Sequence, residues 1–193
     1  LASENERDFI DYPWYPKRRL TPLSLERKEQ DAQRVAAMLC LYDETRFVEA
    51  LLRDLSPRVD AVLILQATRP WFGESRPLGN AIDYVARLAA TDSKISVVRG
   101  QWQSEEEQRN AGLALAKLLP LPISHVLLVD GDEFWHPVEL DRALALIAKR
   151  ELTNQKVGYA RAAMATYWKS PRIVVHPPEP LRILWLVGIG YLP

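Results

Sequence analysis

The sequence predicts an α/β domain with three layers, in which helices cover a mostly parallel central sheet. Three observations predict it. From Arg34 onward short apolar runs alternate with amphipathic stretches, the layout of strands joined through covering helices. The runs are continuous rather than alternating, as in strands buried on both faces. A chain of 193 residues, 48% hydrophobic and 26% charged, is also the size and composition of an ordinary globular domain with one core.

Residues 1–30 carry Pro13, Pro16 and Pro22 among charges and aromatics, which disfavours continuous helix or strand and predicts an irregular arm. Trp14 and Tyr15 then serve as anchors pinning that arm. Residues 31–193 are expected to form the single domain, and the ends of the chain, Leu1 and Pro193, leave room for a longer parent protein. Four strands are expected at Val35 to Leu41, Ala61 to Leu65, Ile95 to Val98 and Val126 to Val129. Between them Phe47 to Leu55, Ala81 to Ala90 and Glu105 to Leu119 repeat apolar residues at helical spacing. Ser104 followed by Glu107 is a capping-box pattern that fixes the start of the third helix, and Pro120 and Pro122 end it. Pro137 opens a fourth helix to about Arg150, whose Lys149 and Arg150 suit the negative end of its dipole. Val157 to Trp168 and Arg172 to Val175 are strand-like, with Pro177, Pro178 and Pro180 interrupting any continuation.

Composition excludes several functions. Lys plus Arg and Asp plus Glu both number 25, so no global field draws the protein to nucleic acid or an anionic bilayer. Cys40 is the only cysteine, which excludes an intrachain disulfide framework and fits a reducing, cytoplasmic compartment. No run approaches the ~20 apolar residues that span a bilayer, and the N-terminus lacks a signal-peptide layout.

The chemistry concentrates where the fourth strand meets Asp130-Gly131-Asp132-Glu133. The carboxyl end of a parallel strand opens into the crevice where α/β sheets bind ligands, and acids there have no place in a core. Period-two geometry turns Asp130 and Asp132 the same way, and two hard oxygen ligands suit Mg²⁺ or Mn²⁺ against a diphosphate. A polar turn capping the next helix is the structural alternative.

Three segments together, Tyr42-Asp43-Glu44, Gln108-Arg109-Asn110-Ala111-Gly112-Leu113 and Val129-Asp130-Gly131-Asp132-Glu133-Phe134, resemble the motifs of family-2 glycosyltransferases, in order and at plausible separations. The resemblance covers about Arg34 to Arg150. It implies a Rossmann-like GT-A fold, a nucleotide-diphospho-sugar donor, a glycan or other hydroxyl acceptor, divalent-metal assistance and an inverting transfer. By the resemblance Tyr42 stacks on the base, Asp43 and Glu44 bond base or ribose, Arg109 reaches the donor and Asn110 ties the third helix to the strand ends. Asp43 and Glu44 serve equally well as caps for the helix that follows. Asp130 contacts ribose or metal, Asp132 ligates the metal, and Glu133 supports the acceptor side.

Departures from the pattern matter. The acid that ends the second strand in typical members is absent, since Leu65 runs into Gln66-Ala67-Thr68-Arg69-Pro70-Trp71-Phe72-Gly73, and Thr68 or Arg69 are the available substitutes. That long loop has the composition of a binding lid, and equally of a packed surface loop. The acidic pair that would supply the base beyond the metal motif is also missing: Glu179 and Glu133 are the candidates. His176 is a candidate third metal ligand, and Tyr167, Trp168 and Lys169 are candidates for an acceptor site or a packed sheet edge. With the base uncertain, a catalytically weak sugar-nucleotide or glycan binding module is the alternative to an enzyme.

Overall fold

In the computed structural model the described residues are 34–74, 77–78, 80–152, 157–163 and 182–189. By contacts the chain divides into two units, 1–28 with 162–183, and 29–161 with 184–193. The described residues lie almost wholly in the second. The expected arm at residues 1–30, the strand at Arg172 to Val175, and Tyr167, Trp168, Lys169, His176 and Glu179 all fall outside them.

The fold class is as expected: a six-stranded, mostly parallel sheet flanked by helices. The elements run β1 (Val35–Leu41), α1 (Val48–Leu55), a 3₁₀ turn (Ser56–Arg58), β2 (Ala61–Ala67), α2 (Ala81–Thr91), β3 (Ile95–Gly100), α3 (Glu105–Ala116), β4 (His125–Asp130), α4 (Pro137–Leu152), β5 (Tyr159–Ala163) and β6 (Arg182–Gly188). The sheet order is β3-β2-β1-β4-β6-β5. β1 pairs in parallel with β2 and β4, β2 in parallel with β3, and β4 antiparallel with β6. The chain thus steps outward from β1 to β3 and then crosses back to place β4 on the far side of β1. That reversal opens a crevice at the carboxyl ends of β1 and β4.

Buried side chains explain the sheet. Ala36, Met38, Leu63, Leu65, Val126 and Leu128 form one apolar face, against which Ala116 of α3 and Val187 of β6 pack. Leu39, Ile64 and Leu127 on the opposite face are equally buried, so these strands are covered on both sides. β3 differs from expectation: as an edge strand it exposes Ser96 and Arg99. β6 is the element without a sequence-level assignment. Its apolar run follows three prolines, and pairing with β4 is what makes it a strand.

Ser104 caps α3 as its sequence requires, accepting the Glu107 N–H at 3.1 Å, while the Glu107 carboxylate accepts the Gln103 N–H at 2.6 Å. Gly112 then brings α3 onto the sheet. A methyl group there would collide with the Met38 sulfur and come within 2.9 Å of Leu65. Among the described residues no helix is long and apolar enough to cross a membrane.

Candidate functional site

The carboxyl edge of the sheet gathers the three motif segments. β4 ends at Asp130, and the Glu133 N–H donates to the Asp130 carbonyl at 3.1 Å, closing a turn over Gly131 and Asp132. Strand alternation therefore stops at Asp130, and the expectation that period-two geometry aligns Asp132 with it does not apply: Asp132 lies on the turn, exposed to solvent. Gly131 is needed for close approach and not for an unusual backbone angle. A side chain there would meet Leu41 at 2.6 Å, and Glu44 stands 3.9 Å away. Phe134 completes the join by packing edge-on against Phe47, with ring centroids 5.4 Å apart. The turn after β4 is thereby seated on the loop after β1.

α3 delivers Arg109 to the same place. Its guanidinium donates to Asp130 Oδ1 at 2.9 Å and lies 2.5 Å from Glu105 Oε1 one turn back. Burial works against the charge, but the two carboxylates outweigh it and hold Arg109 above its ordinary value. Glu133 is half-buried, which lifts its carboxyl above the ordinary range. The Asp130 N–H it accepts opposes the lift, and the charges of Asp130 and Asp132 reinforce it. Cys40, level with Asp130 in the sheet, is a neutral thiol: burial pushes it up to about 12 despite the Arg109 charge beside it.

Beside these charges a cavity of about 190 Å³ opens over the ends of β1 and β2, lined among others by Cys40, Tyr42, Arg69, Trp71, Phe72 and Gln108. Tyr42 thus reaches a cavity wall. Asp43 is exposed, and Glu44 accepts the Arg46 N–H at 2.6 Å within the loop after β1; neither caps α1, which starts at Val48 without a side-chain cap. Asn110 is exposed on α3, and the tie expected of it is made by its neighbour but one, Gln108. The Gln108 side chain is fully buried and donates to the Leu65 carbonyl at 2.7 Å. It also accepts the Trp71 indole N–H at 2.7 Å. Nothing in the sequence marks Gln108, because a glutamine on a helix of high polarity reads as solvated. Of the two substitutes for the missing acid, Thr68 is engaged with the Gly100 carbonyl through its hydroxyl and its N–H, which leaves Arg69 on the cavity.

Among the described residues no three His, Cys, Asp or Glu side chains are grouped so as to hold a metal ion. With Glu133 turned onto the Asp130 N–H, the donor set at the β4 turn is one exposed carboxylate, Asp132, and one shared with Arg109, Asp130. Hard oxygen donors in that number fit a cation whose shell is completed by substrate phosphate oxygens, and do not fit one held by protein alone.

No protein-family model and no curated protein matches the chain. Among solved structures it is similar to a 4-diphosphocytidyl-2C-methyl-D-erythritol synthase, with 12% identity, a TM-score of 0.48 and coverage of 82% of this chain and 76% of that one. The enzyme of the same description from Anaerococcus prevotii DSM 20548 is similar at 14% identity and a TM-score of 0.47, over 82% of this chain and 71% of that one. These similarities assign no activity.

Proposed function

We propose that the carboxyl edge binds a nucleotide-diphospho-sugar and transfers the sugar, with inversion, to a hydroxyl acceptor. The observation that carries this reading is the meeting of three segments far apart in sequence: Arg109 on Asp130, Gly131 against Leu41 and beside Glu44, and Tyr42 on the adjoining cavity.

In this reading the base enters the cavity beside Tyr42, and the diphosphate lies across the β4 turn toward Arg109. Asp132 and Asp130 are the residues that would hold Mn²⁺ or Mg²⁺, and the ion, when bound, would supply Lewis-acid stabilisation of the leaving group. Arg109 offers donor N–H groups to the same oxygens while keeping Asp130 oriented. The acceptor oxygen attacks the anomeric carbon, the bond from that carbon to the diphosphate oxygen breaks, and the acceptor proton passes to a carboxylate. Glu133 is the described carboxylate nearest that task, with Glu179 the other candidate.

Thermal-shift titration of nucleotide-sugars with and without Mn²⁺, followed by assay of released nucleoside diphosphate, tests the reading. Metal-dependent stabilisation by one donor, lost by at least about tenfold in affinity in Asp132→Asn with the fold intact, is the expected result. Equal donor affinity and metal response in wild type and Asp132→Asn would remove the site. Binding without release of nucleoside diphosphate would make the protein a binding module.

A further inference from the structure

We propose that Gln108 is a positioning residue that fixes the Trp71 indole as the wall of a nucleobase site over the ends of β1 and β2. The inference rests on the donor-binding reading above and adds how this chain builds the base end of that site without the customary acid.

The amide of Gln108 is fully buried, and its two bonds determine its orientation. An indole N–H only donates, so it takes the amide oxygen, and the Leu65 carbonyl only accepts, so it takes the amide nitrogen. The flipped amide would set donor against donor and acceptor against acceptor. Leu65 belongs to the fully buried β2 and is level with Cys40 of β1. Trp71 is therefore referenced, through one side chain on α3, to the centre of the sheet. Its loop neighbours are placed otherwise: Phe72 is 83% exposed, and Gly73 has a φ of +79°, a left-handed turn suited to glycine.

The cavity that Trp71 bounds is suited to an uncharged planar ring. Three aromatic side chains, Tyr42, Trp71 and Phe72, line it together with a neutral thiol. Among the described residues no carboxylate lines it, and the one ionic side chain there is Arg69, a donor that can meet carbonyl or ring-nitrogen acceptors on a base. Stacking against aromatic faces is sequence-tolerant and strong enough to hold one base.

Intrinsic-fluorescence titrations with UDP, CDP, GDP and ADP, each with Mn²⁺, identify the probe that binds best, and pyrophosphate with Mn²⁺ reads the diphosphate end alone. Trp71→Phe keeps a ring and deletes the N–H, whereas Gln108→Leu deletes both bonds. Each is expected to weaken the chosen nucleoside diphosphate about tenfold, the scale of one buried hydrogen bond, with pyrophosphate binding unchanged. The double variant should be no weaker than either single one, because the two residues act as one unit. In turnover with a donor, KM should rise while kcat holds. Lowered thermal stability with unchanged nucleotide affinity, or losses that add in the double variant, would overturn the proposal. A wild type that binds pyrophosphate with Mn²⁺ as tightly as every nucleoside diphosphate would overturn the base site and leave the diphosphate end standing. A wild type that binds none of them would overturn the donor reading itself, and this proposal with it.

Discussion

The two edges of the parallel sheet use polar side chains for opposite ends. At the amino edge they are turned onto the backbone. Asp60 accepts the Val35 N–H at 2.8 Å, Lys94 Nζ donates to the carbonyls of Ser56 and Val59, and Ser124 donates to the Arg34 carbonyl. The His125 ring, almost wholly buried, lies between Ser124 Oγ and the Val157 carbonyl. At the carboxyl edge Arg109 bridges Asp130 and Glu105, Asp132 faces solvent, and the buried Gln66 amide nitrogen has no hydrogen-bond partner among the described residues. The difference teaches that the amino edge closes the fold, whereas the carboxyl edge, where Gln108, Thr68 and Glu133 also bond the backbone, adds a charged cluster with hydrogen-bonding capacity still open at Asp132 and Gln66. A larger cavity, about 430 Å³, lies at the amino edge beside Ser56, Asp92 and Lys94, three residues already engaged in this closing role.

Paired substitutions give the sharpest break of that comparison. Asp60→Ala should lower unfolding stability by about 1–3 kcal/mol, because the buried Val35 N–H loses a partner, with nucleotide affinity unchanged. Arg109→Ala should do the reverse: its ion pair with Asp130 is partly exposed, so stability should move by less than about 1 kcal/mol. Its donor affinity should fall about tenfold or more, with loss of a charged donor. Denaturant unfolding and donor titration on both variants decide the matter, and a carboxyl-edge variant that unfolds the protein without touching affinity would erase the distinction.

A smaller effect separates the edges by pH. The Ser56 hydroxyl, the Lys94 N–H and the Lys94 charge hold Asp92 below its ordinary value. Its contribution is complete above the ordinary aspartate value and disappears as the pH falls through the lowered one. Glu133 has the opposite sign: burial raises it, so stability is lost as the pH rises through its raised value. Asp92→Asn should therefore lower Tm at neutral pH by about 1–2 °C and converge on wild type in acid. Glu133→Gln should match wild type in acid and gain on it toward neutrality by a similar amount, about 1–2 °C. Tm measured across pH for both variants checks the signs.

A last effect is chemical and leaves stability and affinity untouched. Cys40, as the only thiol of the chain and pushed up to about 12, should hold a thiolate fraction of roughly one in ten thousand at pH 8. A disulfide reagent should label it far more slowly than a free thiol. Rapid labelling of the folded protein would show that this corner opens to solvent.

What was legible in the sequence follows from how locally each feature is encoded. β1, β2 and β4 are continuous apolar runs set between amphipathic helices, so the segment alone specifies them. β6 is equally apolar, but its identity comes from lying beside β4, and that pairing has no local signal. At the site, acids following a buried strand announce themselves, and so did the capping box that aims α3. Gln108 could not, because what distinguishes it from Asn110 is only which of them the helix turns toward the sheet. The motif's asparagine and its neighbouring glutamine exchange prominence once α3 docks.

The absence of a side chain at Gly112 has a mechanical consequence. With α3 seated so closely that a methyl group would overlap Met38, the helix cannot slide along the sheet without moving a buried side chain of β1. Arg109 is therefore presented as a fixed stop, and Gln108 as a fixed peg. Any fitting of the cleft to guests of different outline falls to the opposite jaw, where Trp71 hangs from that peg and Phe72 stands in solvent.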